Sequence, residues 1–427
     1  MSGSVSEGVR VAHVCYSDAR GGAAIGARRM HQAMCSQNVD SRLVVIDKFS
    51  DDPGVIEVGR SRLQEIARDR LQKHLLRTHR TGNPVLRSLN LFPSGMGAML
   101  NRLDVDVVHM HWVNADTLSI GEIANLAKPL VWKLPDMWAF SGAEHYVLPD
   151  DPERFAEGYH PHNRPAHESG LDLNRLLWRY KRYRWRERQF TIVGPSRWIS
   201  ECARRSAMFR DARVYNIANP LDLELYRPLS KVSCRERFAL PHDRKLILFG
   251  ALNATIDRRK GFHHLQAMLE LLPRYVSPDE ADVAVLGSAT SPGERVGPYR
   301  AHHLGKHEDE QTLVEAYGTA DVFVLPAELD NLPNVVKEAT ACGVPCVGFD
   351  IGGMPDMVEH GVTGALAPPF DHESLAQGVG WVLDQDGAAL SSRVRDRAVS
   401  LHDRKRCVDR YLEVYREAID DFHRGER

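Results

Sequence analysis

The sequence predicts an α/β protein made of two doubly wound domains, and three observations support this prediction. The chain has 427 residues, which is too many for one ordinary domain and suits two domains of about 200 residues each. Short apolar, β-branched runs alternate with helical patterns along the whole chain, as in repeated βαβ units. Asn219-Pro220 and Arg227-Pro228 interrupt this alternation midway. We therefore expect one domain over residues 1–228, a second over 229–400, and a C-terminal helix over 401–427 placed to cross back to the first domain.

The predicted strands are the short apolar runs, and several are apolar on both faces. Residues 321–326 are an example, and such a strand suits a parallel sheet covered on both sides by helices. The predicted strands cover residues 9–17, 42–46, 105–112, 130–134, 191–194 and 213–217 in the first half, and 245–250, 281–287, 302–305, 322–326 and 346–349 in the second. Ligands of such sheets bind at the carboxyl ends of the strands, so the loops after strands are the places to look for chemistry.

The composition is that of a globular protein and excludes several classes of function. Hydrophobic residues make up 43% and charged residues 26% of the chain, with a formal net charge of −2. The whole molecule is therefore not an electrostatic binder of nucleic acid. No run of 18 apolar residues predicts a transmembrane helix, and residues 1–10 lack the apolar core of a signal peptide. Seven scattered cysteines argue against a disulfide framework and for a reducing cytoplasm.

The first loop of interest follows the first predicted strand and contains Gly21 and Gly22. Glycines let a backbone approach a ligand closely, and free N–H groups at the start of the helix predicted over 27–34 suit an anion. The loop lacks the spacing of a dinucleotide-binding fingerprint. A tight turn with close helix–strand packing is the alternative interpretation.

The second loop follows the predicted strand 245–250 and carries a basic cluster that includes Arg259 and Lys260. A helix is predicted to begin near Phe262. Arginine binds a pyrophosphate bidentately, and lysine acts on it as a point charge. The cluster therefore fits a pyrophosphate, and the alternative is a solvated basic loop.

The third loop, after the predicted strand 322–326, gives the most specific signal. Asp330 or Asn331 can cap a helix that has Pro333 in its first turn. Gly343 is predicted to end that helix. The free N–H groups at its N-terminus could bind phosphate and sugar oxygens.

Glu338 lies in the same predicted helix among mostly apolar neighbours. Asn331, Asn334 and Glu338 stand at i, i+3 and i+7, so they share one helix face. A carboxylate in an apolar helix needs a partner, and the hydroxyls of a nucleotide ribose could donate to it. The alternative is a helix cap with a structural glutamate.

Residues 320–366 resemble the donor-binding signature of retaining GT-B glycosyltransferases, family four (glycosyl transferases group one). That signature has two acidic residues separated by seven others, then Gly-x-Pro and a Gly-Gly loop. Here Asp330 and Glu338 are followed by Gly343-Val-Pro345 and Gly352-Gly353. Further stretches that look like the family are Gly21-Gly22, His109-Met-His111-Trp112, Asp136-Met-Trp138-Ala-Phe140-Ser-Gly142, Asn219-Pro220-Leu-Asp222, Arg259-Lys260-Gly261-Phe262 and Glu359-His-Gly361-Val-Thr-Gly364.

The resemblance implies a GT-B fold of two Rossmann-like domains that face a central cleft. It implies transfer of a sugar from a nucleotide-diphosphate sugar with retained anomeric configuration, by front-face attack and without an obligatory cofactor or metal. The resemblance implies that Lys260, with Arg259 beside it, neutralises the diphosphate and that Asp330 binds hydroxyls of the donor sugar. It implies that Asn331, Leu332 and Pro333 contact the sugar and phosphates and that Glu338 binds the ribose. Gly21 and Gly22 would approach the donor from the other side of the cleft.

The chain departs from the family pattern at two positions. Asp330 stands where glutamate is usual; it is one methylene shorter but keeps the charge. Pro135 stands where the family often has a histidine near the reacting sugar. Asp136, His145 or His111 could take over the role of that histidine.

The sequence indicates no metal site. His109 and His111 point to one face of a strand, but no third ligand is evident. Such a pair is expected to be structural or to line a pocket.

Two basic stretches allow more than one interpretation. Residues 60–80 hold seven Arg or Lys against two acids, and residues 175–188 hold seven against one, with four interleaved aromatics. These stretches could contact anionic lipid, could stack single-stranded nucleic acid, or could be surface helices with an aromatic face in the core. The near-neutral total charge disfavours nucleic acid.

The expected function is transfer of a sugar to a glycan, lipid-linked or small-molecule acceptor, in the synthesis of cell-surface polysaccharide or glycoconjugate. The expected location is the cytoplasm, either free or peripheral at the inner membrane face. The alternatives are a catalytically silent relative that binds sugar nucleotides, and a nucleotide-sugar epimerase or hydrolase of the same fold.

Overall fold

The computed structural model describes residues 8–148, 151–250, 258–287, 295–307 and 309–425, with backbone only at 62–64 and 258. The chain folds as two compact units. The first unit comprises Met1–Pro220 and Lys405–Arg427, and the second unit comprises Leu221–Arg404. The chain therefore leaves the first unit at Pro220 and returns to it for the final helix.

The first unit is built on a seven-stranded parallel sheet with strand order β3-β2-β1-β5-β6-β8-β9. Its strands are β1 (Arg10–Val14), β2 (Asp40–Val45), β3 (Val55–Glu57), β5 (Val107–Met110), β6 (Leu130–Lys133), β8 (Thr191–Gly194) and β9 (Arg213–Asn216). Two further strands, β4 (His79–Arg80) and β7 (Ser169–Gly170), pair with each other outside that sheet. All six strands predicted for this half are present, and β3 was not predicted.

Eight α-helices accompany that sheet in the described part of the first unit. They are α1 (Gly22–Ser36), α2 (Arg62–Arg77), α3 (Met96–Arg102), α4 (Ile120–Ala124), α5 (Arg154–Glu157), α6 (Leu173–Trp185), α7 (Arg197–Arg205) and the final helix α15 (Arg404–Gly425). Helix α15 buries Val408, Tyr411 and Tyr415 in one core cluster with Val11 and Val107 of the sheet. That i, i+3, i+7 spacing gives the helix a single apolar stripe, which fixes it to the first unit.

The second unit has a seven-stranded sheet with strand order β12-β13-β11-β10-β14-β15-β16, in which only the β12–β13 pair is antiparallel. Its strands are β10 (Lys245–Gly250), β11 (Ala281–Leu286), β12 (Arg295–Val296), β13 (Tyr299–Gly305), β14 (Val322–Leu325), β15 (Cys346–Phe349) and β16 (Gly364–Ala367). Its α-helices are α8 (Lys231–Arg237), α9 (Phe262–Leu271), α10 (Glu310–Gly318), α11 (Asn334–Ala341), α12 (Met354–Met357), α13 (His372–Leu383) and α14 (Gly387–His402).

Two predicted helix starts are wrong. Helix α1 begins at Gly22 rather than near residue 27, because Gly21, with φ of +88°, is its N-cap, and Gly26 lies inside the helix near the Nζ atom of Lys133. Helix α11 begins at Asn334 with Pro333 as its N-cap, so neither Asp330 nor Asn331 caps it. The side chain of Asp330 is instead engaged by a lysine from another loop, described below.

The basic, aromatic helix α6 is mainly a surface helix with an aromatic face in the core. Trp178 and Trp185 are each 3% exposed, whereas Tyr183 is 64% exposed. Lys181 is fully buried, and its Nζ donates to the carbonyl of Gly142 at 2.8 Å. In the described part of the chain, no helix is both long and apolar enough to span a membrane.

Candidate functional site

The loops that follow β10 and β14 meet in the second unit, as expected for neighbouring parallel strands. The Nζ atom of Lys260 donates to Oδ2 of Asp330 at 3.0 Å, and the N–H of Glu328 donates to the carbonyl of Arg259 at 2.9 Å. The structure therefore brings the predicted basic cluster and the predicted acidic loop together. A cation and a carboxylate now stand at the carboxyl edge of one sheet, where ligands of such sheets bind.

Gly261 makes this close approach possible. Its φ is +75°, and a Cβ atom built there would lie 1.7 Å from the carbonyl oxygen of Pro326. Any other residue would push the Lys260 loop away from the loop that holds Asp330.

The Gly-Gly loop after β15 holds the backbone of Asp330. The N–H of Gly353 donates to the carbonyl of Asp330 at 3.0 Å, and a Cβ on Gly352 would lie 2.2 Å from the same oxygen. The glycines of the sequence motif thus have a packing reason. They let two loops run against each other and fix the backbone from which the Asp330 carboxylate projects.

The residues between Asp330 and α11 are largely buried. Asn331 is 3% and Leu332 is 8% exposed, and Leu332 belongs to a core cluster of the second unit. Pro333 and Asn334 form the start of α11, whose first N–H groups have no partner within the helix itself. Only Asn334 and Glu338 of the predicted three-residue face lie in the helix.

Glu338 has a protein partner that the sequence did not reveal. Its Oε2 accepts a hydrogen bond from the hydroxyl of Tyr317 on α10 at 2.9 Å, and Glu338 is 5% exposed. Burial and the charge of Glu338 raise the pKa of the Tyr317 phenol well above its ordinary value, so the phenol stays protonated and donates. The partner lies 21 residues away, and only the folding of α10 against α11 brings it into contact.

In the first unit, Asp136 and His145 form a buried pair that continues to Ser88. Nδ1 of His145 lies 2.6 Å from Oδ2 of Asp136, and its Nε2 lies 2.9 Å from the hydroxyl of Ser88. Asp136, His145 and Ser88 are 7%, 3% and 5% exposed. A carboxylate can only accept, so Nδ1 of His145 donates to Asp136, and its Nε2 faces the hydroxyl of Ser88. No motif surrounds Ser88 in the sequence, which is why it was not predicted.

His111 lies in a buried histidine cluster with His13 and His109. His13 and His109 are neighbours in register on β1 and β5, the rings of His109 and His111 stack at 4.2 Å, and Nδ1 of His13 lies 2.9 Å from Nε2 of His111. Nδ1 of His109 lies 2.6 Å from the hydroxyl of Tyr415 on α15. Burial lowers the pKa of all three histidines well below the ordinary value. The third histidine, His13, was not predicted, and the arrangement favours the structural interpretation of His111.

Gly21 and Gly22 lie where the first loop meets α1. A Cβ on Gly21 would have no atom of the described residues within 4 Å, so the space beside it is open. The loop is anchored by Asp18, whose carboxylate accepts the N–H groups of Phe49 and Ser50 at 2.9 Å each.

The comparison of sequences finds a family match in the second unit. Residues 243–385 match the family model described as glycosyl transferases group 1. The D-inositol 3-phosphate glycosyltransferase 1 of Catenulispora acidiphila is 30% identical over 232 residues, which are 49% of this chain and 52% of that protein. The chain therefore spans about half the length of the curated relatives it matches.

The comparison of structures covers nearly the whole chain. Sucrose-phosphate synthase from Thermosynechococcus elongatus superposes with a TM-score of 0.66 at 17% identity, over 97% of this chain and 100% of that one. Anabaena HepE in complex with UDP and glucose superposes with a TM-score of 0.61 at 16% identity, over 95% and 98% of the two chains. At such low identity these matches establish the fold, in which two Rossmann-like units follow one another along the chain.

Proposed function

Residues 243–385 belong to the glycosyl transferases group 1 family, and the chain has the GT-B fold. From this premise we propose that the protein is a retaining glycosyltransferase. The donor is a nucleotide-diphosphate sugar, and no cofactor is required. The acceptor is a glycan, a lipid-linked sugar or a small molecule. The product belongs to cell-surface polysaccharide or another glycoconjugate.

The observation that carries this proposal is the pairing of Lys260 with Asp330 at the carboxyl edge of the second sheet. Cleavage of the sugar–phosphate bond develops negative charge on the departing nucleotide diphosphate. Lys260, with Arg259 beside it, stabilises that charge as it forms, because its ammonium group is already positioned by the ion pair. When the donor binds, the carboxylate of Asp330 accepts hydrogen bonds from hydroxyls of the sugar.

Glu338 and the start of α11 complete the proposed donor site. Glu338 keeps its hydrogen bond from the Tyr317 hydroxyl and also accepts hydrogen bonds from the ribose hydroxyls, since a carboxylate has about four acceptor positions. Asn331, Leu332, Pro333 and Asn334 present backbone and side-chain groups to the sugar and phosphates.

In the first unit we assign the position left by Pro135 to the Asp136–His145 pair. His145 is oriented on one side by the Asp136 carboxylate and on the other by the Ser88 hydroxyl. The Asp136 carboxylate therefore fixes the orientation of the His145 ring, and an acceptor hydroxyl would contact Nε2 by taking the place of the Ser88 hydroxyl. The acceptor proton itself passes to a donor phosphate oxygen in front-face attack. Gly21 and Gly22 remain proposed donor contacts from this unit.

A groove of about 580 Å³ on the first unit supports peripheral contact with an anionic membrane. It is lined by Tyr159, His160, Arg175, Trp178, Arg179, Arg182, Tyr183 and Arg186. Arg179, Arg182 and Arg186 are exposed, and cationic side chains beside an aromatic suit lipid phosphate. Sedimentation with vesicles of phosphatidylglycerol, compared with phosphatidylcholine, tests this contact, and the double change R179E/R182E should abolish a preference for the anionic vesicles.

The donor is tested by a thermal-shift panel of UDP, GDP, ADP, CMP, dTDP and their common sugar conjugates. A ligand at a hundred times its dissociation constant adds about 2.7 kcal/mol of stability, which gives a visible shift. A response to one nucleotide diphosphate names the donor class. Turnover of the matching sugar conjugate then separates a transferase from a silent relative, and the identity of the product separates it from an epimerase or hydrolase. A folded protein that responds to none of these ligands contradicts the proposal.

A further inference from the structure

Three potential metal ligands converge beside the proposed donor site in the second unit. His263 and His264 lie in the first turn of α9, separated from Gly261 by Phe262, and Glu328 lies in the loop that holds Asp330. Nε2 of His263 is 3.2 Å and Nε2 of His264 is 3.5 Å from Oε1 of Glu328. One ligand atom from each of the three residues lies within 4.8 Å of the others.

These separations are the distances between ligands around a tetrahedral ion. Zinc binds histidine nitrogen and carboxylate oxygen at about 2.0–2.2 Å, so two ligands of one tetrahedral zinc are about 3.3 Å apart. The two measured nitrogen–oxygen distances lie on either side of that value. Two imidazoles with one carboxylate are also a ligand set found at zinc sites that keep a fourth position open.

His264 is held as a metal ligand would be. Its Nδ1 lies 2.7 Å from Nε2 of His372, the first residue of α13, and its ring stacks on Phe370 with a centroid distance of 5.3 Å. Its Nε2 is buried, and no hydrogen-bond partner for this atom is found among the described residues, although the Glu328 carboxylate is close by. Ligating histidines are usually oriented through the other ring nitrogen in this way.

The two other three-ligand groups in the described residues fit a cation less well. The cluster of His13, His109 and His111 contains no carboxylate, and Lys133 lies close enough to disfavour positive charge on it. In the group of His79, Glu168 and Asp172, the carboxylates already pair with Arg154. The His263–His264–Glu328 group alone among these three combines a carboxylate with two histidines.

We propose that His263, His264 and Glu328 bind one first-row transition-metal ion, with Zn²⁺ the best match, and that His372 positions His264. The ion ties the first turn of α9 to the loop after β14, and so fixes the distance between the segments that carry Lys260 and Asp330. This role is structural, and it holds whether or not the protein transfers a sugar.

The test uses the full-length protein without an affinity tag, stripped with EDTA and titrated with Zn²⁺ in a calorimeter in the absence of nucleotide. Binding of one Zn²⁺ per chain is expected, and Co²⁺ should give the visible absorption of a tetrahedral site. His263→Ala and Glu328→Gln should each weaken Zn²⁺ binding at least a hundredfold. His372→Ala, which removes only the orienting ring, should weaken it by about ten- to a hundredfold.

His302→Ala is the matched control. His302 pairs with Asp282 at 2.8 Å in the same unit but belongs to none of the three-ligand groups among the described residues. The control should bind Zn²⁺ like the unchanged protein, and the metal-free melting temperature of each variant checks that it is folded. The proposal is overturned if the unchanged protein takes up no stoichiometric Zn²⁺, or if folded His263→Ala and Glu328→Gln bind it as tightly as the control does.

Discussion

At the scale of single residues, Glu338 serves both the fold and the proposed donor site, and these two roles can be separated. Glu338→Ala should weaken binding of the nucleotide diphosphate by about 1–3 kcal/mol, the scale of a lost charge-assisted hydrogen bond. Tyr317→Phe is the control, because it removes the hydrogen bond to Glu338 but keeps the carboxylate. That control should lower the free energy of unfolding by about 0.5–1.5 kcal/mol and change nucleotide affinity less. Titration calorimetry on both folded variants decides; equal affinity in Glu338→Ala and the unchanged protein would place the ribose elsewhere.

Replacing Lys260 should lower the turnover rate more than it lowers the stability of the fold. Lys260→Gln removes the ammonium that stabilises the leaving diphosphate, and the loss of one such donor typically lowers kcat by about 10²–10³. Lys231→Gln is a matched control, because Lys231 pairs with Asp321 at 2.6 Å in the same unit. Its kcat should be unchanged. Initial rates at saturating donor measure both, and a Lys260→Gln enzyme with full kcat would remove this residue from the leaving-group site.

At the scale of secondary-structure elements, the sequence predicted the buried strands well because they are continuous apolar runs. It did not predict β3, β12 and β16, three short strands at the edges of the two sheets. The helix starts at α1 and α11 were misplaced, because a glycine or proline N-cap carries no side-chain signal of the usual kind.

The donor motif could be predicted at the level of residues, but its contacts could not. The pairing of Lys260 with Asp330 joins positions 70 residues apart, and it depends on how two loops meet after the sheet has formed. Ser88 and Tyr317 were missed for the same reason: each gains its partner only through tertiary packing, which no local pattern in the sequence records.

The glycine before α9 allows the contribution of a close contact between two loops to be separated from the strain of a left-handed backbone. Gly261 and Gly361 have nearly the same φ, +75° and +74°, but a Cβ on Gly261 would meet the Pro326 carbonyl, whereas a Cβ on Gly361 would meet no described atom within 4 Å. Gly361→Ala should therefore cost only the strain of the left-handed conformation, about 1–2 kcal/mol. Gly261→Ala should cost clearly more and should also weaken nucleotide binding, because it displaces Lys260. Urea unfolding and calorimetry compare the two variants, and equal losses of stability would argue against the loop contact.

At the scale of the whole molecule, the two units can be followed separately by fluorescence. Six of the seven tryptophans lie in the first unit, and Trp381 alone lies in the second. Tryptophan emission during urea unfolding therefore reports chiefly on the first unit, which also contains the buried cluster of His13, His109 and His111.

That cluster should make the first unit sensitive to mild acid. In the folded unit the pKa of each of the three histidines lies well below the ordinary value, so the rings stay neutral, whereas in the unfolded chain they bind protons below about pH 6.5. The unfolded state then holds more protons, so the free energy of unfolding falls as the pH falls below about 6.5, with a slope that approaches about 1.4 kcal/mol per pH unit for each histidine. Other buried groups add to this slope or subtract from it, so the decisive measurement is a difference between two proteins. His111→Gln removes one of the three titrating rings and should reduce the loss of stability between pH 6.5 and 5.5 by about 1 kcal/mol, whatever its effect on stability at pH 7. An unchanged slope in that variant would mean that His111 is already protonated in the folded unit, and the histidine cluster would then have to hold a charge in the core.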